Sequence, residues 1–377
     1  MADSPQHSFE VRGHGPPSVV RCDRGFSAQK AVSVLLGGIE RRAFPGASFA
    51  AFKDDRVVMQ AALGTFTYSA DAPAIELATV FDLASVTKVV ATTAMAMLLY
   101  DRAVMVLEHR LVDVVPEFAG KDERRRQVTI EMLFSHSSGL PAYVPLFKQT
   151  QNRDELLNLA AQAPLQTDPG THAEYSDIGF ILLGELLNRI AGSSPDRFCA
   201  TQIFAPLRMS SARFCPSAEL RGSIPPTLDD KTFRHRIIQG EVHDENASLM
   251  GGVAGHAGLF SATDDLMKFA ACMLGHGPQL FRPETIELFT RRRSTPPGTS
   301  RALGWDTPSA PSQSGKYFSP RSFGHLGYTG TSLWIDGERR IAIALLTNRT
   351  WPDNQSQIIR QIRPMFHDAV MEALTRR

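Results

Sequence analysis

The chemistry starts from Ser85-Val86-Thr87-Lys88. A serine hydroxyl is a weak nucleophile and needs a base beside it. Positions three apart on a helix share a face, so Lys88 can reach back to Ser85 Oγ. A buried apolar helix desolvates the ammonium, and desolvation lowers a lysine pKa, so the expectation is an amine able to take the serine proton. The helix N-terminus adds positive potential that favours an oxyanion near Ser85. Alone the pattern is weak, because chance matches are common in 377 residues. Its place after a strand and at the start of a buried helix gives it weight.

Tyr175-Ser176-Asp177 is the second candidate. A tyrosine near a cation can act as a phenolate, or shuttle a proton between nucleophile and leaving group. Read by itself, the segment is first a helix start, with Ser176 or Asp177 as cap and Tyr175 as packing. The third candidate is GHLGYTGT (324–331) on a strand edge. Its glycines allow close backbone approach, and a strand beside a nucleophile can donate an N–H to an oxyanion. The plain alternative is a bent core strand with an incidental His325.

Several elements must position these residues. Residues 1–26 are polar, rich in Gly and Pro, and read as a loose arm. A helix follows over 27–42, with Val32, Leu35, Leu36 and Ile39 on one face. ASFAAFKD and RVVMQAALG read as a hairpin around Asp54-Asp55. The run from Ser85, SVTKVVATTAMAMLLYDR, is apolar nearly all round and predicts a buried helix. Residues 105–250 read as helices and loops, with 176–192 the clearest helix and 216–250 long and irregular. Beyond 255 come a helix (263–275), three strand candidates (SFGHLGY, TSLWIDG, RIAIALLTN) and a C-terminal helix. The pattern predicts an α+β fold: one antiparallel sheet from both ends of the chain, flanked by N- and C-terminal helices, with a mostly helical lobe inserted. The expected units are the arm 1–26, a sheet region of 27–104 with 251–377, and the lobe 105–250, forming one catalytic unit.

Composition narrows the function classes. Forty Lys plus Arg against 39 Asp plus Glu leave a net charge of +1, so no nucleic-acid partner is expected. The basic runs 124–126 and 291–293 read as solvated element ends. No stretch approaches the roughly 20 apolar residues that span a bilayer, and the N-terminus lacks the apolar core of a secretory signal. A cytoplasmic protein is expected, or a periplasmic one if a signal has been removed. Cys22, Cys199, Cys215 and Cys272 lack metal-site spacing. Free thiols are expected, with a Cys199–Cys215 pair left open. His243, Asp244, Glu245 and His256 carry no helical ligand spacing and read as polar contacts ordering a loop, so no metal or cofactor is expected. Asn246 is a candidate pocket residue. His136, in SHSSG, reads as structural, holding loop backbone near the cleft.

Taken together, the order S-x-x-K, Y-x-[ND], H-x-G is far more specific than any single motif. It resembles the penicillin-recognising serine hydrolases, which include class C β-lactamases, DD-carboxypeptidases, D-aminopeptidases and family VIII carboxylesterases. The resemblance covers about residues 27–375 through FDLASVTK, MLFSHSSGLP, YSDIGFILLGELL, GGVAGHAGLFSATDDLMKF and GHLGYTGTSLWID. EVHDENA (241–247) resembles the penicillin-binding-protein 4B-like branch. The resemblance implies a β-lactamase/transpeptidase-like fold and an acyl-enzyme on Ser85. It makes Lys88 the holder of the serine proton, Tyr175 its partner in acylation and deacylation, and the N–H groups of Ser85 and Tyr328, after His325-Leu326-Gly327, the oxyanion hole.

Two positions depart from the β-lactamase pattern. Asp177 stands where those enzymes have Asn, and an acid there is expected to repel anionic substrates. His325 stands where they have Lys, and a neutral imidazole holds a carboxylate poorly. Both argue against efficient penicillin hydrolysis and toward small ester or amide substrates without a carboxylate. A carboxylesterase on short acyl esters leads. An amidohydrolase (D-aminopeptidase, DD-carboxypeptidase or weak β-lactamase) is the alternative, and a non-catalytic peptide-binding protein would need a broken catalytic set.

Overall fold

The computed structural model describes residues 7–10 and 18–375. Its framework is an antiparallel sheet of seven strands built from both ends of the chain. The early strands are β1 (His7–Glu10), β2 (Ser18–Cys22), β3 (Gly46–Lys53) and β4 (Arg56–Gly64). Five short strands, β5 (Phe81–Asp82), β6 (Arg213–Phe214), β7 (Leu228–Asp230), β8 (Arg236–Ile238) and β9 (Leu259–Ser261), lie outside it. The last three, β10 (Phe323–Leu326), β11 (Ser332–Asp336) and β12 (Ile341–Thr347), complete the order β1-β2-β4-β3-β12-β11-β10.

Period-two patterning explains why β3 and β12 are central. Ala47, Phe49 and Ala51 on β3, with Ile341, Ile343 and Leu345 on β12, face the terminal helices Gln29–Glu40 and Ile359–Thr375. Phe49 meets Phe366 edge-on at 5.1 Å. The alternate residues Ala50, Phe52, Ala342, Ala344 and Leu346 face the lobe. Small side chains on that face let the Thr263–Met273 helix pack closely on β3 and β12. The hairpin turn falls at Asp54, which takes the left-handed conformation (φ 60°).

Two expectations are corrected. The N-terminal arm is not wholly loose: β2 pairs with the free edge of β4, and Val20 and Cys22 are buried against the terminal helices. Five residues among Gly and Pro are too short to display periodicity, and the ladder supplies what local propensity lacks. The run from Ser85 is not one regular helix either. Ala84–Val86 is a 3₁₀ turn, Lys88–Thr93 is π-helical, and Ala94–Asp101 is α-helical. Four β-branched residues (Val89, Val90, Thr92, Thr93) crowd the middle turn, and Thr93 Oγ1 donates to Lys88 O at 2.7 Å. All four cysteines are free. Among the described residues no helix is long and apolar enough to cross a membrane. The irregular stretch 216–250 holds the β7–β8 hairpin and the short helix Glu245–Leu249.

Candidate active site

Ser85 leaves β5 on a turn that is tied down from several sides. Ala84 holds a left-handed φ of 46°, a conformation that costs a non-glycine residue about 1–3 kcal/mol and needs outside support. The buried Asp82 supplies it, accepting from Ala84 N at 2.8 Å and His243 N at 2.6 Å. Burial pushes the Asp82 carboxyl up to about 6, with those two N–H groups opposing. On the other side, Thr329 Oγ1 donates to Asp82 O and Thr331 Oγ1 to Leu83 O, at 2.8 and 2.9 Å. These threonines lash the turn after β10 to the Ser85 turn. Gly327 is required there, because an added Cβ would lie 2.5 Å from Leu83 O.

Lys88 is fully buried. Its ammonium meets three acceptors: Ser85 Oγ at 3.0 Å, Asp177 Oδ1 at 2.7 Å and His256 O at 3.1 Å. A protonated lysine has three donors, and all three are used. Burial pushes this amine down as the sequence predicts, but Asp177 and Tyr175 outweigh it and the pKa is raised. The expected lowered pKa is therefore corrected, and the cause is the acid at 177. That carboxylate is paired with Lys88, whose charge offsets its own, so the expected repulsion of anions is weakened.

Tyr175 Oη lies 2.7 Å from Ser85 Oγ. Burial, then Asp177, pushes its phenol up to about 12, against the pull of Lys88 and Ser85. Its placement comes from the next residue. Ser176 caps the Asp177–Ala191 helix by accepting from Gly179 N at 2.9 Å, and its Oγ donates to Pro141 O at 2.7 Å. Ser176 N donates to His136 Nδ1 at 3.0 Å, and the His136 ring lies 4.8 Å from that of Tyr175. Burial holds His136 neutral, well below its usual range. The helix crosses the 254–256 backbone where Gly184 faces Gly255, and an added Cβ at 184 would come within 2.7 Å of Gly255. That crossing carries His256 O to Lys88.

The remaining candidates fall into two groups. His325, Gly327 and Tyr328 line the same cleft as Ser85, Tyr175 and Asp177. His325 is buried, its Nδ1–H donates to Leu326 O at 2.7 Å, and burial with Lys88 and Arg301 pushes it well below its usual range. It supplies no positive charge near neutral pH. Tyr328 is 49% exposed, and among the described residues its N–H donates to no backbone acceptor. Asn246, by contrast, is buried and stitches a neighbouring loop, accepting from Phe147 N and donating to Val144 O. His256 Nε2 pairs with Asp244 Oδ1 at 2.8 Å. Burial raises Asp244, but His256 and the Ala247 N–H hold it below the usual carboxylate range.

The cleft encloses about 970 Å³. Tyr143, Asp244 and Glu245 line it as well, together with four arginines that sequence reasoning missed: Arg301, Arg349, Arg360 and Arg363. Arg301 stands 5.4 Å from the Tyr175 ring centroid and 3.6 Å from Asp306. Arg360 is exposed and, among the described residues, forms no ion pair. No motif announces these residues, because each reaches the cleft by tertiary packing.

Residues 29–363 match the family model described as Beta-lactamase. An N-acetylmuramyl-L-alanine amidase of Bacillus subtilis is 31% identical, with 88% of this chain and 84% of the relative covered. A protein of Escherichia coli K12 named as a D-alanyl-D-alanine carboxypeptidase is 29% identical over 81% and 79% of the two chains. Two solved structures share the fold. EstCE1, titled a hydrolase with promiscuous acyltransferase activity, has a TM-score of 0.74 at 19% identity, covering 91% of this chain and 98% of its own. A penicillin-binding-protein homologue from Caulobacter crescentus has a TM-score of 0.72 at 18% identity, covering 92% and 98%.

Proposed function

This chain belongs to the beta-lactamase family of serine hydrolases, and from that premise we propose that it cleaves an amide bond in a small acyl-peptide whose leaving half bears a carboxylate. The observation that carries the reading is the convergence of Lys88 Nζ and Tyr175 Oη on Ser85 Oγ, at 3.0 and 2.7 Å. Ser85 Oγ attacks the acyl carbon while its proton passes to Tyr175 Oη. The phenol hydrogen goes to the leaving nitrogen, so Tyr175 is neutral before and after. A phenol pushed up to about 12 suits such a shuttle, and Lys88, its pKa raised by Asp177 and Tyr175, stabilises the alkoxide as it forms. The N–H groups of Ser85 and Tyr328 receive the carbonyl oxygen. Water then enters where the amine left, and Tyr175 returns the proton in deacylation.

Two facts put amides before esters, reversing the order expected from sequence. The relatives at about 30% identity are named as an amidase and a carboxypeptidase. Arg301 and Arg360 also supply the positive charge that His325 lacks, so a carboxylate is welcome in the cleft. Ester hydrolysis is the second reading, favoured by the fold shared with EstCE1 and served by the same proton path.

The test is a substrate panel: a muramyl-L-alanyl peptide, a peptide ending in D-alanyl-D-alanine, p-nitrophenyl acetate and nitrocefin, with products and the Ser85 adduct followed by mass spectrometry. The peptides should show the higher kcat/KM. Turnover of esters alone moves the assignment to the second reading. Full activity in Ser85→Ala removes both.

A further inference from the structure

Two buried guanidiniums at the rim of the cleft donate to the turn that carries Tyr328. Arg349 Nε donates to Tyr328 O at 2.6 Å, and Arg363 Nη2 donates to Gly327 O at 3.2 Å. Each residue is 5% exposed. Among the described residues neither forms an ion pair with an acid. Burial, then Arg349 and Arg360, pushes Arg363 down to about 9, so it keeps its charge near neutral pH. Burying two like charges without an acid is costly, and the cost is offset here by carbonyl and amide oxygens, Arg349 Nη1 donating to Asn354 O and Ser356 O and Arg363 Nη1 to Gln313 Oε1.

The carbonyls of Gly327 and Tyr328 point to a use for that charge. Gly327 C=O and Tyr328 N–H are the two ends of one peptide unit. A cation donating to the carbonyl draws electron density toward oxygen and leaves the N–H more positive. Gly330 N donates to the same carbonyl at 3.1 Å, so the unit is held by two donors on one end, while its N–H donates to no backbone acceptor among the described residues and Tyr328 lines the cleft. Arg349 fixes the following carbonyl. We propose that Arg363, seconded by Arg349, is a positioning residue that polarises and orients the Gly327–Tyr328 peptide as oxyanion donor. The inference rests on the reading above that Tyr328 N–H receives the oxyanion. The positive charge acts through the Gly327 carbonyl, strengthening the donor at the far end of the same peptide unit, and preorganised charge of this kind costs no reorganisation during reaction.

The experiment uses p-nitrophenyl acetate, a neutral ester with no carboxylate for an arginine to bind, and diisopropyl fluorophosphate, which labels an activated serine. Acylation of Ser85 is timed by stopped flow and mass spectrometry in wild type, Arg363→Met, Arg363→Lys and Arg349→Met. Arg363→Met should slow acylation roughly tenfold with half-saturation almost unchanged, because the interaction grows in the transition state. The acyl carbonyl stretch of the trapped intermediate should move to higher wavenumber. Arg363→Lys keeps the charge with a shorter reach and should recover part of both. If Arg363→Met fails to fold, Arg363→Lys and Arg349→Met report the same two readouts. Acylation of the neutral ester at the wild-type rate in all three variants overturns the inference, and a loss confined to carboxylate-bearing substrates makes Arg363 a substrate ligand instead. Absence of any adduct on wild-type Ser85 is a separate failure: it removes the reading on which the inference stands.

Discussion

Lys88 Nζ donates to Asp177 Oδ1 at 2.7 Å, and this pairing is the largest influence holding up the pKa of the amine beside Ser85 Oγ. A lysine raised above its ordinary value favours the folded state below the unfolded pKa, and that stabilisation is lost only as pH rises through the folded value. Wild-type acylation should therefore show no lysine ionisation between pH 7 and 10. In Asp177→Asn the largest charge opposing burial is gone and only Tyr175 still opposes it, so the amine should titrate below its wild-type value. A new ionisation in the pH–rate profile of acylation is the expected outcome. An unchanged profile means that Asp177 does not govern Lys88.

Tyr175→Phe keeps the ring and removes the atom that contacts Ser85 Oγ. The loss of one hydrogen bond should lower stability by about 1 kcal/mol. Acylation should fall roughly 10²- to 10⁴-fold, the usual worth of a positioned proton carrier. Thermal melts and burst kinetics separate the two effects. A variant with near-normal acylation leaves the proton path to Lys88 alone.

Ser176→Ala removes the cap of the Asp177–Ala191 helix, which should cost about 1 kcal/mol. It also strips Pro141 O of its donor. The melting temperature should fall, and kcat should drop further than KM rises, since Tyr175 loses its anchor. A fall in stability with kinetics intact shows that His136 holds Tyr175 by itself.

Arg360→Ala tests the carboxylate reading. The ratio of kcat/KM for a carboxylate-bearing peptide to that for p-nitrophenyl acetate should fall roughly tenfold at low salt. Because Arg360 is exposed, the difference should shrink as ionic strength rises. A ratio that does not move excludes Arg360 from substrate recognition.

The parts of the site that were legible in the sequence are those written locally. Ser85 and Lys88 share a helical face, Ser176 marks a helix start, and the glycines of 324–330 mark a close backbone approach. The charge on Lys88 was not legible, because the acid that fixes it stands 89 residues away. Nor were Arg349 and Arg363, which reach the carbonyls of Tyr328 and Gly327 across the fold. The same distinction runs through the fold. Alternation in β3 and β12 was visible, whereas β2 exists because β4 offers an unpaired edge. The π turn at Lys88–Thr93 answers to crowding and burial that no periodicity displays.

The pairing of β3 with β12 sets Lys53 opposite Ile341. The central seam of the sheet therefore closes only once residues 341–347 exist, a non-local order of assembly that slows folding. During synthesis Ser85, Lys88 and Tyr175 leave the ribosome well before the turn at Tyr328 and the helix bearing Arg363. On the function proposed above, the nascent protein would carry Ser85 before the groups that activate it, and would gain its chemistry only when the Ile359–Thr375 helix docks.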